Sequence, residues 1–480
     1  ICGSYFSTFG SISFFSLFIS FLNNHFKISA SSSTSNIYNK PLVSAEAFTQ
    51  FPGNNWLFHP AMGKKDGDKS WALGVNQHVF HRFAHQANTH VMPGMTMNRW
   101  GAHLDRTQPW WHNAGKAWFN YIARGQHLLR SGHAVSDVLW YLGDASPTVC
   151  PENDELTNLL PSSINYDCLN SEVLRQLTVS NGKLRLPHGS EYKVLVLNNH
   201  QTLTFDSLKQ IYLLAKQGAV IVGEPTTKMA GINTSTEQQK QFTDMVNFIW
   251  SQPSTYVPGI KNSHDSAEQL AANKLSKPSL HATATHTSAD KYIDWQQIYQ
   301  RHDFAQDLTI KNISSYYFTH RKSTEHDIYF IYNDSEQRRL FDASFNVTGK
   351  IPELWQASNG EIKRLGAFES SDTHTHIAFR LDPLASVFVV FAESSKGITS
   401  VSPDMVVKDD VEVLLNDDLQ LQLLTSPVSN KTSTNFNTTN LALNRDWTVT
   451  FNKHFGLEQS YPFKQLIDWR QHSDQQVQNY

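Results

Sequence analysis

The stretch from Glu191 to Gly223 constrains the fold more than any other part of the chain. EYKVLVL (Glu191 to Leu197) is a short apolar run of strand type. In LTFDSLKQIYLLAKQG (Leu203 to Gly218), Leu208, Ile211, Tyr212 and Ala215 recur at helical spacing, with Thr204 at the N-cap and Gly218 at the stop. AVIVG (Ala219 to Gly223) is a second apolar strand directly after. Strand, amphipathic helix and strand make a crossover unit, which joins parallel strands and calls for helices on the sheet faces. VSDVLWYL (Val135 to Leu142) adds a further strand, and NGKLRLPHG (Asn181 to Gly189) a turn-bounded hairpin strand.

Upstream, KPLVSAEAF is a short buried strand bounded by Pro41, GDKSWALG (Gly67 to Gly74) a short helix, and NQHVFHRF (Asn76 to Phe83) a second strand. A long loop, Ala84 to Pro109, leads into a helix over Trp110 to Ser131 with Gly132 at its C-cap. Beyond about residue 310 the helical period fades. DIYFIYN, SVFVVF, VEVLL, LQLQLL and WTVTF are short β-type runs separated by turns, as in β-sandwich modules. In WTVTF, Trp447, Val449 and Phe451 alternate with threonines, predicting a strand with one buried face. Val428 to Asn440 is a loop or linker. At ~150 residues per domain, 480 residues make roughly three domains.

Ile1 to Leu22 carry no charge and are rich in Phe and Ser. Length and neutrality match a membrane span or a signal-type h-region, yet no basic n-region precedes it and no small-residue cleavage site follows. A serine-rich spacer, Ser29 to Ser35, comes next. Residues 1–37 are therefore left unassigned, and no membrane role is expected. A net charge of −3 lacks the basic footprint of a nucleic-acid binder. Three cysteines are too few for a disulfide scaffold or a four-cysteine zinc module, although Cys150 and Cys168 can pair in an oxidising compartment. With 12% aromatic residues, 22 histidines and 17% charged residues, the composition suits a neutral, ring-stacking ligand. Six Asn-x-Ser/Thr sequons, at Asn233, Asn312, Asn333, Asn346, Asn430 and Asn437, matter only in a secreted chain.

Three segments carry the chemistry. VSAEAFT places Glu46 at the end of an apolar strand, where burial disfavours the charged form of a carboxylate unless a site uses it; a solvated strand-end Glu is the alternative. HVFHRFAHQ holds His78, His81, Arg82 and His85. Its spacings brush zinc patterns, but no flanking Glu completes one, leaving structural histidines or sugar-hydroxyl contacts. PGMTMNRWGAHLDRTQPWW is an irregular loop bearing Trp100, His103, Asp105, Arg106, Trp110 and Trp111. Loops of that length inside a domain are usually functional. Asp105 is either a ligand contact or half of an ion pair. No GxGxxG follows a strand, and there is no GxSxG elbow and no P-loop.

The ordered set VSAEAFT, GVNQHVFHRFAHQ, PGMTM, WGAHLDRTQPWW and LRLPHGSEYKVLVL resembles glycoside hydrolase family 106, whose members are α-L-rhamnosidases. The resemblance continues through HRKSTEHDIYFIYN (His320 to Asn333), VTGKIPELW (Val347 to Trp355), SVFVVF and DWTVTF (Asp446 to Phe451), over roughly residues 38 to 480. It implies the C-terminal part of a (β/α)8 barrel over 38–132, a flavodoxin-like or glutaminase-like α/β domain over 133–305, a β-sandwich over 306–425, and the start of a second one over 426–480. It also implies inversion by two carboxyl groups, a calcium ion whose ligands stay unknown, a rhamnose-containing glycan as partner, and a secreted or periplasmic location.

By analogy with barrel glycosidases, Glu46 stands on the penultimate strand as general base. His81, His85, His103, Asp105, Arg106, Trp110 and Trp111 then bind sugar hydroxyls, the ring face or calcium. If Glu46 is instead the acid, Asp105, Asp167 or Glu172 is its in-chain partner. A complete barrel needs about 250 residues, and only Asn39 to about Gly132 is barrel-like. The expectation is thus a fragment, truncated at both ends, with Ile1 to Ser35 as remnant sequence. A non-catalytic carbohydrate-binding fragment and a β-galactosidase-like hydrolase are the competing readings.

Overall fold

The computed structural model describes residues 16–17, 25–50, 56–88, 94–95, 101–112, 114–151, 156, 159–197, 201–231, 234–260, 291–311, 313, 316–409, 411–425, 447–451, 459–465 and 467–478. Trp100, the 428–440 linker and the sequons at Asn233, Asn312, Asn430 and Asn437 lie outside the described residues.

Three short parallel strands open the fold, β1 (Ser16–Leu17), β2 (Ser44–Ala47) and β3 (Gln77–Phe80), in the order β1-β2-β3. Helix α1 (His25–Ile37) connects the first two and α2 (Pro60–Ala72) the second two, while α3 (Ala114–Leu129) follows β3. The serine-rich spacer expected outside the fold is therefore largely helix α1. Ile28 and Ile37 are buried, as are Ser33 and Ser35. Ser33 bonds both the N–H and the carbonyl of Cys168, and Thr34 Oγ1 donates to the Ala30 carbonyl at 2.7 Å. Small hydroxylated side chains let this helix lie close against a neighbouring strand, which a hydropathy reading mistakes for a linker.

Pro60 stands in the first turn of α2, where its missing N–H costs nothing. Gly63 of α2 admits Phe48 and Phe58, since a Cβ there falls within 2.8 Å of the Phe58 ring. The helix expected from Trp110 starts only at Ala114, because Trp110 and Trp111 sit in the preceding turns. Gly132 ends α3 with φ +59°, and the Arg321 guanidinium donates to the Ser131 and Gly132 carbonyls there.

Next comes a five-stranded parallel sheet: β4 (Val138–Tyr141), β5 (Tyr166–Leu169), β6 (Val194–Leu197), β7 (Val220–Gly223) and β8 (Thr255–Tyr256). They lie side by side as β8-β7-β6-β4-β5, the flavodoxin-type order for a doubly wound sheet. Helix α4 (Phe205–Lys216) joins β6 to β7, and Thr204 caps it by accepting from the Ser207 N–H. Helix α5 (Thr236–Ser251) opens on a capping box, Ser235 with Gln238.

Two antiparallel sheets follow. One has four strands, β9 (Leu308–Lys311), β12 (Arg339–Phe345), β15 (Phe368–Ser370) and β16 (Thr375–Leu381). The other includes β10 (Tyr317–Lys322), β11 (Asp327–Tyr332), β13 (Lys350–Trp355), β14 (Ile362–Arg364) and β17 (Ser386–Ser394). The sheets share one apolar core containing Phe341, Phe345, Tyr329 and Phe391. Strand β11 is buried on both faces: Tyr329 and Ile331 enter that core, while Ile328, Phe330 and Tyr332 pack on α2 and α3. WTVTF keeps its alternation, with Phe451 buried and Thr448 and Thr450 exposed.

Cys150 and Cys168 form a disulfide. Asn333 is fully buried, its amide donating to the Gln337, Leu381 and Asp382 carbonyls, so this sequon is not a glycan acceptor.

Candidate active site

Parallel register places Ser44 opposite Gln77 and Glu46 opposite Val79. These four share one face of the small sheet, while Ala45, Ala47, His78 and Phe80 turn to the other. The first face is open, with Val79 43% exposed, and Glu46 stands half-buried on it near the C-terminal end of β2. The Thr49 hydroxyl donates to Glu46 Oε1 at 2.7 Å.

That return bond depends on Phe48. Its φ is +64°, a real departure for a bulky residue. The ring is buried among Phe58, His78, Phe80 and Trp118, with centroids 5.0–5.8 Å away. Packing thus holds a backbone conformation costing about 1–3 kcal/mol, and the turn brings Thr49 back to the carboxylate. No sequence signal marks Phe48 for this; a positive φ at Phe is invisible to patterning.

The loops after β2 and β3 are laced together. His81 N–H donates to the Ala47 carbonyl, and Gly101 N–H to the Gln50 carbonyl at 2.9 Å. Ala102 N–H donates to His81, Arg82 N–H to Ala102, and Leu104 N–H to Arg82. Gly101 is required here, since its φ is +98° and a Cβ falls 2.5 Å from His81 Nδ1. That nitrogen is buried and has no hydrogen-bond partner among the described residues.

His103 is buried, and Trp56 stacks on it at 3.6 Å and 20°. Burial pushes its imidazole down, with opposing contributions from Asp105 upward and Arg82 downward. Trp56 is 36% exposed, so the stack presents an aromatic rim that sequence reasoning missed.

The remaining predicted residues divide. Asp105 is fully buried and serves the loop: it accepts from Thr107 N–H (2.8 Å), Thr107 Oγ1 (2.6 Å) and Gln86 Nε2 (3.1 Å). Gln86 in turn bonds both backbone groups of Met95. Asp105 therefore shapes the loop rather than offering an oxygen to a ligand. Trp110 is half-buried, its indole N–H donating to the Phe58 carbonyl at 3.1 Å, and Trp111 packs edge-on against Phe119. Both belong largely to the scaffold. His85 and Arg106 are exposed. Asp167 and Glu172 stand on and just after β5, in the second sheet, not beside Glu46.

Calcium takes six to eight oxygen ligands. Among the described residues no three His, Cys, Asp or Glu side chains converge to hold a metal, so no step is assigned to calcium. Among the described residues no helix is long and apolar enough to cross a membrane.

A half-buried carboxylate at the C-terminal end of a parallel strand, on a face bordered by loops that carry His and Trp, suits a glycoside hydrolase, and the relatives are of that class. The chain belongs to glycoside hydrolase family 106: the family model, described as alpha-L-rhamnosidase, matches residues 20–370. The match begins inside the segment left unassigned on sequence, as helix α1 requires. A protein of Formosa agariphila named "Putative beta-glucuronidase" is 31% identical over 366 residues, 76% of this chain and 28% of that protein. The structure of a rhamnosidase from Novosphingobium sp. PP1Y matches with a TM-score of 0.71 at 23% identity, over 97% of this chain and 40% of that one; it shows a shared fold. A β-galactosidase from Bacillus circulans sp. alkalophilus reaches a TM-score of only 0.44 at 10% identity, over 77% of this chain and 58% of that one, and carries no weight. The chain thus spans well under half the length of its first two relatives.

Proposed function

We propose that this chain carries one catalytic carboxyl group, Glu46, of an exo-acting α-L-rhamnosidase that inverts configuration. The carrying observation is Glu46 on the open face of β2, steadied by Thr49 at 2.7 Å. Glu46 takes a proton from water as that water attacks the anomeric carbon through an oxocarbenium-like transition state, and a second carboxyl protonates the leaving oxygen. Asp105, with its oxygens bonded to the loop, and Asp167 and Glu172, on the second sheet and in the helical turn after it, do not fill that second role. His81 and the Trp56–His103 stack contact the sugar beside Glu46, with His85, Arg106, Trp110 and Trp111 at the rim.

In this reading the three parallel strands are the last of a (β/α)8 barrel, and the two antiparallel sheets form a β-sandwich. The likeness to the Novosphingobium rhamnosidase supports both. The Cys150–Cys168 disulfide supports a secreted or periplasmic protein, since disulfides persist in oxidising compartments. The name of the Formosa relative supports one competing substrate, a β-glucuronide.

Release of p-nitrophenol from its α-L-rhamnoside and its β-D-glucuronide by the full-length protein decides between them, and NMR of the first anomer released reads the stereochemistry. Glu46→Gln is expected to lower kcat about 10²–10⁴-fold. No rhamnoside turnover, or a Glu46→Gln variant as active as wild type, sinks the reading.

A further inference from the structure

Helix α1 carries a polar stripe where a packed helix carries an apolar one. Ser29, Ser32, Ser33 and Asn36 stand at i, i+3, i+4 and i+7, which is one face of a helix. That face does not turn to open solvent. It lines a cavity of about 270 Å³, whose other walls come from the end of α2, the edge of the five-stranded sheet and strand β10. Ser33 and Asn36 are already bonded to Cys168 and Asp167, and together with Ser29 and Ser32 they give the cavity a polar rather than an apolar wall.

The wall is organised from Asp167, itself buried. Asn36 Nδ2 donates to its Oδ1 at 3.0 Å and Tyr192 OH to its Oδ2 at 3.0 Å. Burial pushes the carboxyl up to about 6 even though Asn36, Tyr192, Ser136 and Ser33 all pull it down. The first of these bonds orients the amide of Asn36, which lines the cavity together with Ser33 and Ser136. Among the described residues no Lys, Arg or His lines the cavity, and Asp167 is the one charged side chain in its lining. An anion therefore meets a carboxylate and no basic side chain in the described lining. The volume lies just under the ~300 Å³ lower end of small-molecule pockets, which suits one ring and excludes a chain of them.

The cavity is also remote from Glu46. Its lining includes Gly74, just before the N-terminal start of β3, whereas Glu46 stands toward the opposite end of the same sheet. Barrel chemistry occupies the C-terminal face.

We propose that this cavity is an accessory site for a neutral, polyhydroxylated ligand the size of one monosaccharide. The proposal does not rest on the role given to Glu46. Ligand-observed NMR on the 480-residue chain, titrated with L-rhamnose, D-galactose and myo-inositol, tests it, with D-glucuronate as the anionic control. Two variants probe the cavity: Asp167→Asn, which keeps the shape but sets a donor against Asn36, and Ser162→Phe, which fills the rim from a half-exposed loop position and spares the core. Saturable binding of at least one neutral ligand is expected. It should weaken at least tenfold in both variants, stay within twofold in Glu46→Gln, and exceed glucuronate binding at least tenfold. Absence of saturable binding by all three neutral probes overturns the proposal. So does binding that both cavity variants leave within twofold, or a loss confined to Glu46→Gln.

Discussion

Replacing His78 by Gln should change stability with opposite signs at high and low pH. His78 is buried between Trp71, whose ring lies parallel at 5.6 Å, and Phe48, edge-on at 5.2 Å. Its Nε2 meets Ser70 Oγ at 2.8 Å. Burial pushes the imidazole down to about 3 from an ordinary 6.5. The folded chain therefore keeps the ring neutral while the unfolded chain takes up a proton below 6.5. The resulting stability is full above that pH and is lost as pH falls toward 3. Each unit below 6.5 removes about 1.4 kcal/mol, hence about 2.7 kcal/mol at pH 4.5. Gln does not titrate and escapes this loss, and its amide reaches about as far as Nε2. It forfeits two ring contacts of about 0.5–1.5 kcal/mol each, roughly 2 kcal/mol together at any pH. The variant should be less stable than wild type by about 2 kcal/mol at pH 7.5 and slightly more stable at pH 4.5, with the curves crossing near pH 5. Urea unfolding at pH 4.5, 6.0 and 7.5 measures this. A difference that stays constant across the three pH values refutes it.

Two further substitutions test the scaffold and the loop. Gly125→Ala should destabilise the chain by about 1–3 kcal/mol although Ala is the better helix former by about 1 kcal/mol, because a Cβ there falls 2.3 Å from the fully buried Trp71 ring; a raised Tm would contradict the packing. Asp105→Asn should lower stability by about 1–3 kcal/mol by turning a donor toward Thr107 and Gln86. Unchanged thermal unfolding with a large rise in KM would instead return Asp105 to the sugar.

Much of the fold was legible because its signals are local. Thr204 at the N-cap and Gly218 with φ +87° punctuate α4 as their spacing predicts, and the apolar runs on either side become the parallel strands β6 and β7. Glu46 was legible as a carboxylate ending an apolar strand. Its surroundings were not. Phe48 works through a dihedral angle that no composition reveals, and Trp56 reaches His103 only when loops 47 residues apart in sequence fold together. Asp105 looked like a ligand contact because an Asp among aromatics is ambiguous until its bonding is known. The same holds for α1: its serines satisfy backbone groups of another element, and hydropathy scores that as disorder.

The arrangement also explains why the antiparallel sheet bears on the site it does not touch. Phe330 of β11 packs edge-on against Trp71 of α2, at 5.6 Å, and the Trp71 ring also stacks on His78 of β3. Asp68 of α2 is fully buried, bonded to Lys64 and to Tyr121 of α3, and Tyr121 OH contacts Ser386 Oγ of β17 at 3.1 Å. Burial raises the Asp68 carboxyl, and Lys64 opposes that shift. Lys64 is 34% exposed, so its pair with Asp68 is only half-buried, and the run of bonds from Asp68 through Tyr121 to Ser386 ties α2 and α3 to the sheet. Helix α2 connects β2 to β3, so this packing also bears on the strand that carries Glu46 and the one that precedes His81. Under the rhamnosidase proposal, Ser386→Val in the full-length protein is therefore expected to lower kcat on the p-nitrophenyl rhamnoside while leaving the rhamnoside-over-glucuronide preference unchanged.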